Sequence, residues 1–533
     1  MSGRQGWFAA SLLSGWLAAA AARPASPGID PPNPADAPLR LLATETQPPV
    51  GDELAFSRLA ELEQRIAALE SSTTVPPPPA ASVSSAKLDP LSMRTGWGKN
   101  GFQAVSANGE FSIHVGGRVQ LDAVALQDSA LVLGGVGTND ALDFRRARLR
   151  VDGTMYQTMD WCVEVDFVNG ADFDPTNAAL PVTAQGGDVD HVVAPTDLWW
   201  AFNDLPVIGH MRLGNQKEPI GLEHLCSSRY LDFMERSFLQ DAYFGPFNNG
   251  FSPGVSIYDW NEDETITYTL GAFKNVQNVF AYDTGDNEYA LTGRVAGVPW
   301  AADDDAKLLH LGLAASYRGL DQDAAVAAGN VRMRSRASLR NGPGPLNPNL
   351  ADTNFSGRIF ADDAMLLAPE IALAYGPWLW QAEYVAGFLN GVIVTPSGGG
   401  ATPTDQGFPP GQDGQGLYFL TGEHRAYERH EGRFGRVVPR DDLRWNSCGF
   451  RSWGAWQIGA RYGFLDLNDG LVQGGSIQDL TIGLNWFLNP FAKLQFNYVH
   501  QRVDNTILDN AGAVVANNDG TLDGFGVRFA QDF

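Results

Sequence analysis

Four arginines fall within six positions of one short stretch, LDFRRARLRVDG: Arg145, Arg146, Arg148 and Arg150. Guanidinium groups at that density have an evident chemistry. Each offers a planar fork of donors that can grip an oxyanion through two parallel hydrogen bonds. The chain around them carries a formal charge of -24 at pH 7, so the concentration is local. What the arginines can do depends on which face of which element carries them.

The elements are predicted to be strands. In FSIHVGGRVQLDAVAL, Phe111, Ile113, Val115, Val119 and Leu121 share one parity, and Ser112, His114, Arg118, Gln120 and Asp122 share the other. DWCVEVDFVNG sets Trp161, Val163, Val165 and Phe167 against Glu164 and Asp166. LLHLGLAASYRG, WQIGARYGF and LTIGLNWFL repeat the pattern. Alternation with period 2 means one apolar and one polar face. In the arginine stretch Ala147, Leu149 and Val151 take the apolar parity. Arg146, Arg148, Arg150 and Asp152 should therefore share the polar face with Arg118, while Arg145 falls on the apolar side.

A soluble sandwich also alternates, but three features point to a transmembrane antiparallel β-barrel, an all-β fold. Strand-like segments of about ten residues recur to the end of the chain, separated by connections of very unequal length. Aromatic clusters, LWWAF, GPWLW and NWFLNPF, sit near strand ends, where interfacial girdles lie. The chain ends GFGVRFAQDF with Phe525, Val527, Phe529 and Phe533 on one parity, resembling the terminal signal of outer-membrane β-proteins. NGPGPLNPNLADTN and TPSGGGATPTDQGFPPGQDGQG read as extracellular loops, LNPFAK as a periplasmic turn, and GEHRAYERHEGRFGR as a loop flank at the rim. In a barrel the polar parity faces the lumen. Arg145 then needs a strand end or a bulge, because a midplane arginine facing lipid costs about 2–4 kcal/mol.

Ahead of the barrel the sequence changes character. Residues 1–22 have the layout of a secretory signal peptide. Residues 23–50 are a Pro-rich linker. Residues 51–72 place Leu59, Leu62, Ile66 and Leu69 at heptad spacing, a short coiled-coil helix best suited to oligomerisation. Residues 73–101 are a second linker, and 102–533 the barrel. The 533 residues are 18 % charged, include 59 Gly, and hold no later apolar run long enough for a membrane helix. The acidic balance argues against nucleic acid as a partner. Cys162, Cys226 and Cys448 form no ligand spacing, so free thiols, no metal and no cofactor are expected.

From about Phe102 to Phe533 the chain resembles the phosphate-selective porins O and P. The similar stretches run in order: HVGGRVQLD, FRRARLRVDGTMYQTMDWCVEVDF, MRLGNQKEPIGLEHLCSSRYLDFMERS, LYFLTGEHRAYERHEGRFGRVVPR, LNDGLVQGG and LTIGLNWFLNPFAKLQFNYVHQRVD. The resemblance implies a 16-stranded barrel in the outer membrane, assembled as a homotrimer, with an internal loop narrowing each pore. It implies a central anion site containing Arg118, from GGR, and Arg145 and Arg146, from FRR. It implies that GLEHLCSSRYLDF is the constriction loop, with Ser227 and Ser228 at the site. His224 stands where phosphate-specific members carry lysine, and neutral histidine at pH 7 would weaken strict phosphate selectivity. Asp197, from PTDLWWAF, is the implied acidic partner.

The expected function is passive diffusion of small anions, phosphate or polyphosphate, through a lumen lined by Arg118, Arg145, Arg146, Arg148, Asp197, His224, Ser227, Ser228 and Arg229. Arg229 and Arg236 would extend the basic funnel, or else pair with Asp232 and Glu235. Glu164 and Asp166 would in turn neutralise some of the strand arginines. Alternatives are a general, weakly selective porin and a structural barrel tethered by the N-terminal helix. A hydrolase is the weakest reading, since Ser227, His224 and Asp197 show no catalytic spacing.

Overall fold

The computed structural model describes residues 64–65, 92–98, 101–128, 140–168, 193–244, 251–274, 289–320, 331–340, 349–355, 357–395, 402–470, 472–508, 514–517 and 519–533. Gln64 and Arg65 are helical. The rest of the expected signal peptide, linker and coiled coil lies outside the described residues.

Sixteen long strands form one antiparallel ring. They are β1 Phe111–Asp128, β2 Ala141–Met155, β3 Met159–Asp166, β4 Ala194–Leu205, β5 Gly209–Lys217, β6 Phe251–Trp260, β7 Ile266–Lys274 and β8 Tyr289–Ala302. The second half is β9 Lys307–Gly319, β10 Asp363–Tyr375, β11 Trp378–Thr395, β12 Thr402–Phe419, β13 Ala455–Asp469, β14 Val472–Asn489, β15 Ala492–Asp504 and β16 Gly520–Asp532. Each pairs with its sequence neighbour, and β16 closes on β1 from Leu522↔Asp128 to Asp532↔Arg118. Closure leaves the sixteen-stranded ring itself without an edge, which an apolar bilayer requires. A short hairpin, Met93–Gly98 with Gly101–Ser106, extends β1 beyond the point where β16 ends.

The closure explains the paired glycines of GGR. Phe533 exchanges backbone hydrogen bonds with Gly117. A Cβ on Gly117 would stand 2.5 Å from the Arg148 carbonyl and 2.7 Å from the Phe533 ring, so no larger residue fits without displacing the seam.

The predicted alternation holds around the ring. Leu311, Leu313, Tyr317, Ile458, Tyr462, Ile482, Phe525 and Phe529 are exposed on the outer face, while Arg118, Gln120, Asp122, Glu164 and Asp166 are buried inside. One loop expectation is overturned. Most of TPSGGGATPTDQGFPPGQDGQG is strand β12, paired to β11 and then β13. From Gly411 onward its small outward residues, Gly414 and Gly416, alternate with inward Asp413 and Gln415. That is a barrel strand without an apolar face to advertise it.

Among the described residues, three connections fold into the barrel. The first, after β5, carries a turn of helix at Leu222–Leu225 and a π-helical turn at Gln240–Phe244. Its Ile220, Phe238, Leu239 and Tyr243 join Met333 and Leu350, from the connection after β9, and Leu366, Val385, Leu465 and Ile477 of the wall in one apolar core. The lumen is thus filled with hydrophobic side chains toward its long-loop end and polar at mid-height. The third infolded piece is GEHRAYERHEGRFGR, expected at the rim. Instead it enters from the short-turn end: Arg425 meets Asp232 at 2.7 Å, and the Cys226 thiol donates to the Phe434 carbonyl. Buried polar groups on both sides draw the segment inward, because each supplies the partner that the other would otherwise lack. All three cysteines are free, as expected.

Candidate anion site

A β-bulge decides the orientation of the arginine strand. Between β1 and β2 the register runs Arg118↔Arg148 and Gln120↔Arg146, then shifts to Leu121↔Phe144, which leaves Arg145 as the extra residue. Phe144 and Leu149 are exposed outside, and Arg145, Arg146 and Arg148 all reach the lumen. The parity expectation that Arg145 faces outward is therefore corrected: one inserted residue puts two adjacent arginines on the same side. A second bulge flanks the site. Val163↔Leu198 shifts to Val165↔Pro195, so Thr196 and Asp197 together oppose Glu164. Thr196 donates to Glu164 at 2.9 Å, while Asp197 lies 3.5 Å from Arg150 and accepts from the Trp199 indole at 3.2 Å.

Arg118 lies at the centre. One terminal nitrogen bonds both Glu164 oxygens at 2.6 and 2.7 Å, and the other donates to Ser228 at 2.7 Å and Ser227 at 3.2 Å. Gln120 fixes the loop by donating to the Ser228 carbonyl at 3.1 Å. Arg148 grips Asp166 at 2.7 Å and Glu164 at 3.1 Å. The expectation that Glu164 and Asp166 neutralise strand arginines is met at these contacts.

Glu235 was expected only as a partner of the loop arginines. It instead receives Arg145 in a two-pronged contact at 2.9 and 3.0 Å, Arg146 at 3.2 Å and Arg528 of β16 at 2.8 Å. Burial alone would raise the Glu235 carboxyl, but Arg145, Arg146 and Arg528 hold it well below the usual carboxylate range. Arg528 also pairs with Asp122 at 2.6 Å. Asp232 is taken by Arg425, and Arg236 donates to the carbonyls of Glu223 and Cys226 at 3.0 and 2.7 Å. The anticipated pairing of Arg229 and Arg236 with Asp232 and Glu235 does not occur.

Around this point six guanidiniums, those of Arg118, Arg145, Arg146, Arg148, Arg229 and Arg528, face five carboxylates, Glu164, Asp166, Glu235, Asp122 and Asp532. The site keeps a positive excess. Arg229 is the loosest member, with Glu164 at 3.9 Å and Asp532 at 3.8 Å. His224 is buried and its Nδ1 lies 2.6 Å from Gln240 Oε1, so the imidazole belongs to the packing of the loop. A cation nonetheless reaches its backbone. The Lys217 ammonium donates to the carbonyls of His224, Leu225 and Cys226 at 2.7, 3.2 and 3.0 Å.

Sequence reasoning missed a second basic row. VRMRSRASLR, in the connection after β9, carries Arg332, Arg334, Arg336 and Arg340. Arg332 pairs with Asp352 at 2.5 Å, while Arg336 and Arg340 share Asp241 at 2.5 and 3.1 Å. Arg334 has no carboxylate within 4.0 Å among the described residues. Spacing of two was the available signal, the same one that singled out Arg146, Arg148 and Arg150. The row leads from the long-loop side toward the Arg118 cluster.

Comparison with known proteins follows the same lines. The sequence model described as "Phosphate-selective porin O and P" matches residues 113–529. Porin O of Pseudomonas aeruginosa is 24 % identical over 447 residues, covering 80 % of this chain and 89 % of that protein. An uncharacterized protein of Caulobacter vibrioides is 26 % identical over 432 residues, covering 80 % and 75 %. Among solved structures, the anion-selective porin from Comamonas acidovorans superposes with a TM-score of 0.43 at 13 % identity, over 80 % of this chain and 100 % of its own. The outer membrane channel DcaP of Acinetobacter baumannii gives 0.44 at 12 %, over 79 % and 97 %.

Proposed function

Because this chain belongs to the phosphate-selective porin O and P family, an outer-membrane barrel of anion channels, we propose that its arginine wall carries the selectivity. An anion descends the row Arg332, Arg334, Arg336 and Arg340 and reaches the constriction at Arg118, Arg145 and Arg146. Guanidinium forks and the hydroxyls of Ser227 and Ser228 there replace part of its water. Arg148 and Arg229 add to the field. Asp197 steers Arg150, and His224 holds the loop in place. The observation that carries this reading is the bulge, which brings Arg145 and Arg146 side by side into the lumen against the constriction loop.

Passage also requires that the ion not be held too tightly. Glu164 and Glu235 supply that restraint, since each already occupies guanidinium donors that an anion must share. The same balance favours a second reading, a weakly selective general porin. A planar-bilayer measurement separates the two. Under a salt gradient the reversal potential is expected to show anion preference, and millimolar phosphate is expected to block chloride current. A cation-preferring pore, or chloride current untouched by phosphate, overturns the proposal. We also propose export by the 1–22 signal peptide and a homotrimer aided by the 51–72 helix; deleting residues 51–72 should weaken the trimer on native gels.

A further inference from the structure

The short-turn end of the lumen holds a cavity that the Arg118 cluster does not use fully. It is a half-open hollow of about 400 Å³, open solvent at its mouth included, between the constriction loop, the infolded segment before β13 and the turn joining β14 to β15. Short turns lie on the periplasmic side of outer-membrane barrels. The cavity therefore sits below the constriction, on the exit route.

Its charge is lopsided. Arg118, Arg229, Arg436 and Lys493 line it with one carboxylate, Asp532. Most of their donors are already engaged. Arg436 donates to Asp532 and to the Pro490 carbonyl, and Lys493 to the Leu231 carbonyl at 2.6 Å. What remains is specific: the Nε groups of Arg118, Arg229 and Arg436 are all buried without a hydrogen-bond partner. Arg229 stands out, because its side chain is only 14 % exposed and its two carboxylate neighbours lie at 3.8 and 3.9 Å, beyond hydrogen-bond reach. A buried, unsatisfied cationic donor is costly unless an anion completes it.

Apart from Gln120, Asn489 and Gln531, the rest of the lining is apolar or aromatic. Arg436 lies between the rings of Tyr230 and Phe491, 5.1 and 4.7 Å from their centres, and Lys493 lies 5.6 Å from that of Phe487. Val437, Pro490, Ala492 and Ala530 complete the apolar part of the surface. A fully hydrated inorganic ion gains nothing from such walls, whereas an ion with a hydrocarbon body buries it there.

We propose that this cavity is a second anion site, in series with the Arg118 cluster, for an oxyanion head carried on a small apolar or aromatic body. The head lies against Arg229, with Arg118 and Arg436 beside it, and the body lies along Phe491 and Val437. The inference rests on the anion-channel reading and extends it from inorganic to organic anions. Arg118, common to both sites, lets an ion at one weaken the hold on an ion at the other, as multi-ion conduction requires.

Block of chloride current through the full-length channel tests it, with phenyl phosphate and inorganic phosphate as the two probes. Phenyl phosphate is expected to reach half-block at a concentration at least tenfold lower. Arg229→Gln should erase most of that difference. Phe491→Ala should raise the phenyl phosphate value about fivefold and leave the inorganic phosphate value within twofold. Equal block by the two probes in the wild-type channel overturns the second site while leaving the anion-channel reading intact. So does a Phe491→Ala channel in which both values move together. Loss of phosphate block and of anion preference in the wild type would instead remove the reading beneath it.

Discussion

On one side of the lumen, along β1 to β3, Asp122, Glu164 and Asp166 each lie 2.6–2.7 Å from a guanidinium. About half the ring away, on β10 to β12, the register sets Glu370 beside Glu383 and Glu383 beside Asp413. Glu370 is held by Arg294 and His310, but Glu383 and Asp413 have no cation within 4.0 Å among the described residues. Glu383 accepts instead from the Glu223 amide at 2.7 Å and from Gln381 at 2.9 Å. Both walls are polar, and both lean on the constriction loop, yet they lean in opposite senses. The loop offers a carboxylate, Glu235, and two hydroxyls to the basic wall, and a backbone amide and the Ser237 hydroxyl to the acidic one. A small anion in such a lumen is drawn to one side and repelled from the other, so selectivity is a property of the difference between the walls.

The comparison breaks most completely at Arg118. Arg118→Gln removes the centre of the basic wall and leaves Glu164 buried with Arg148 as its close partner. Losing one member of a buried pair costs about 3–5 kcal/mol where nothing compensates. Arg148 at 3.1 Å compensates in part, so the barrel should fold with a lowered thermal transition. Phosphate should then require at least tenfold more to block chloride current, and the anion-to-cation permeability ratio should fall toward one. An unchanged ratio would show that the cluster is structural only.

Neutralising the acidic wall sharpens the comparison from the other side. In Glu383→Gln with Asp413→Asn the repelling carboxylates go while shape and hydrogen bonding stay close to the original. The anion-to-cation ratio should rise by about twofold, because the ion already follows the opposite wall. Like charges directly opposed across strands are destabilising, and such pairs count for roughly 0.2–1 kcal/mol. The double variant should therefore unfold at a slightly higher temperature. A fall in the anion-to-cation ratio would contradict the transverse field.

How far the sequence foretold these walls depends on the element. The strands were legible because lipid outside and water inside impose a period of 2, and Leu311, Ile482 and Phe525 obey it. Strand β12 was not, since glycine on the lipid side and Asp413 and Gln415 inside read as loop. Arg145 was misplaced because a bulge shifts parity by one residue without leaving a compositional trace; only the register with β1 reveals it. The grip of Arg145 on Glu235 joins residues 90 positions apart, and the turn back of the segment around Arg425 and Arg436 is decided by partners such as Asp232 and Asp532. Contacts of that kind are set by tertiary packing, and no local pattern encodes them. The row from Arg332 to Arg340 was missed, although its spacing of two carried the signal.

The smallest expected effect is on pH dependence, and it follows from Glu235. Its carboxyl is held well below the ordinary range by Arg145, Arg146 and Arg528 against the opposing effect of burial. A group with a depressed folded pKa contributes stability that is present above its unfolded value, about 4.3, and is lost only as pH falls through the folded value. Glu235 therefore stays ionised on acidification through the range where an ordinary glutamate gains its proton. It keeps its three arginines engaged throughout. In the Glu383→Gln, Asp413→Asn background, where those carboxylates of the opposite wall no longer titrate, anion preference should accordingly be flat between pH 7 and about pH 4, measured as reversal potential in chloride at constant salt. Glu235→Gln provides the contrast: it releases the same arginines at every pH, so phosphate block should strengthen already at pH 7. In the Glu383→Gln, Asp413→Asn background, an anion preference in chloride that rises steeply on going from pH 7 to 5 would mean that the Glu235 carboxylate is not held by these arginines.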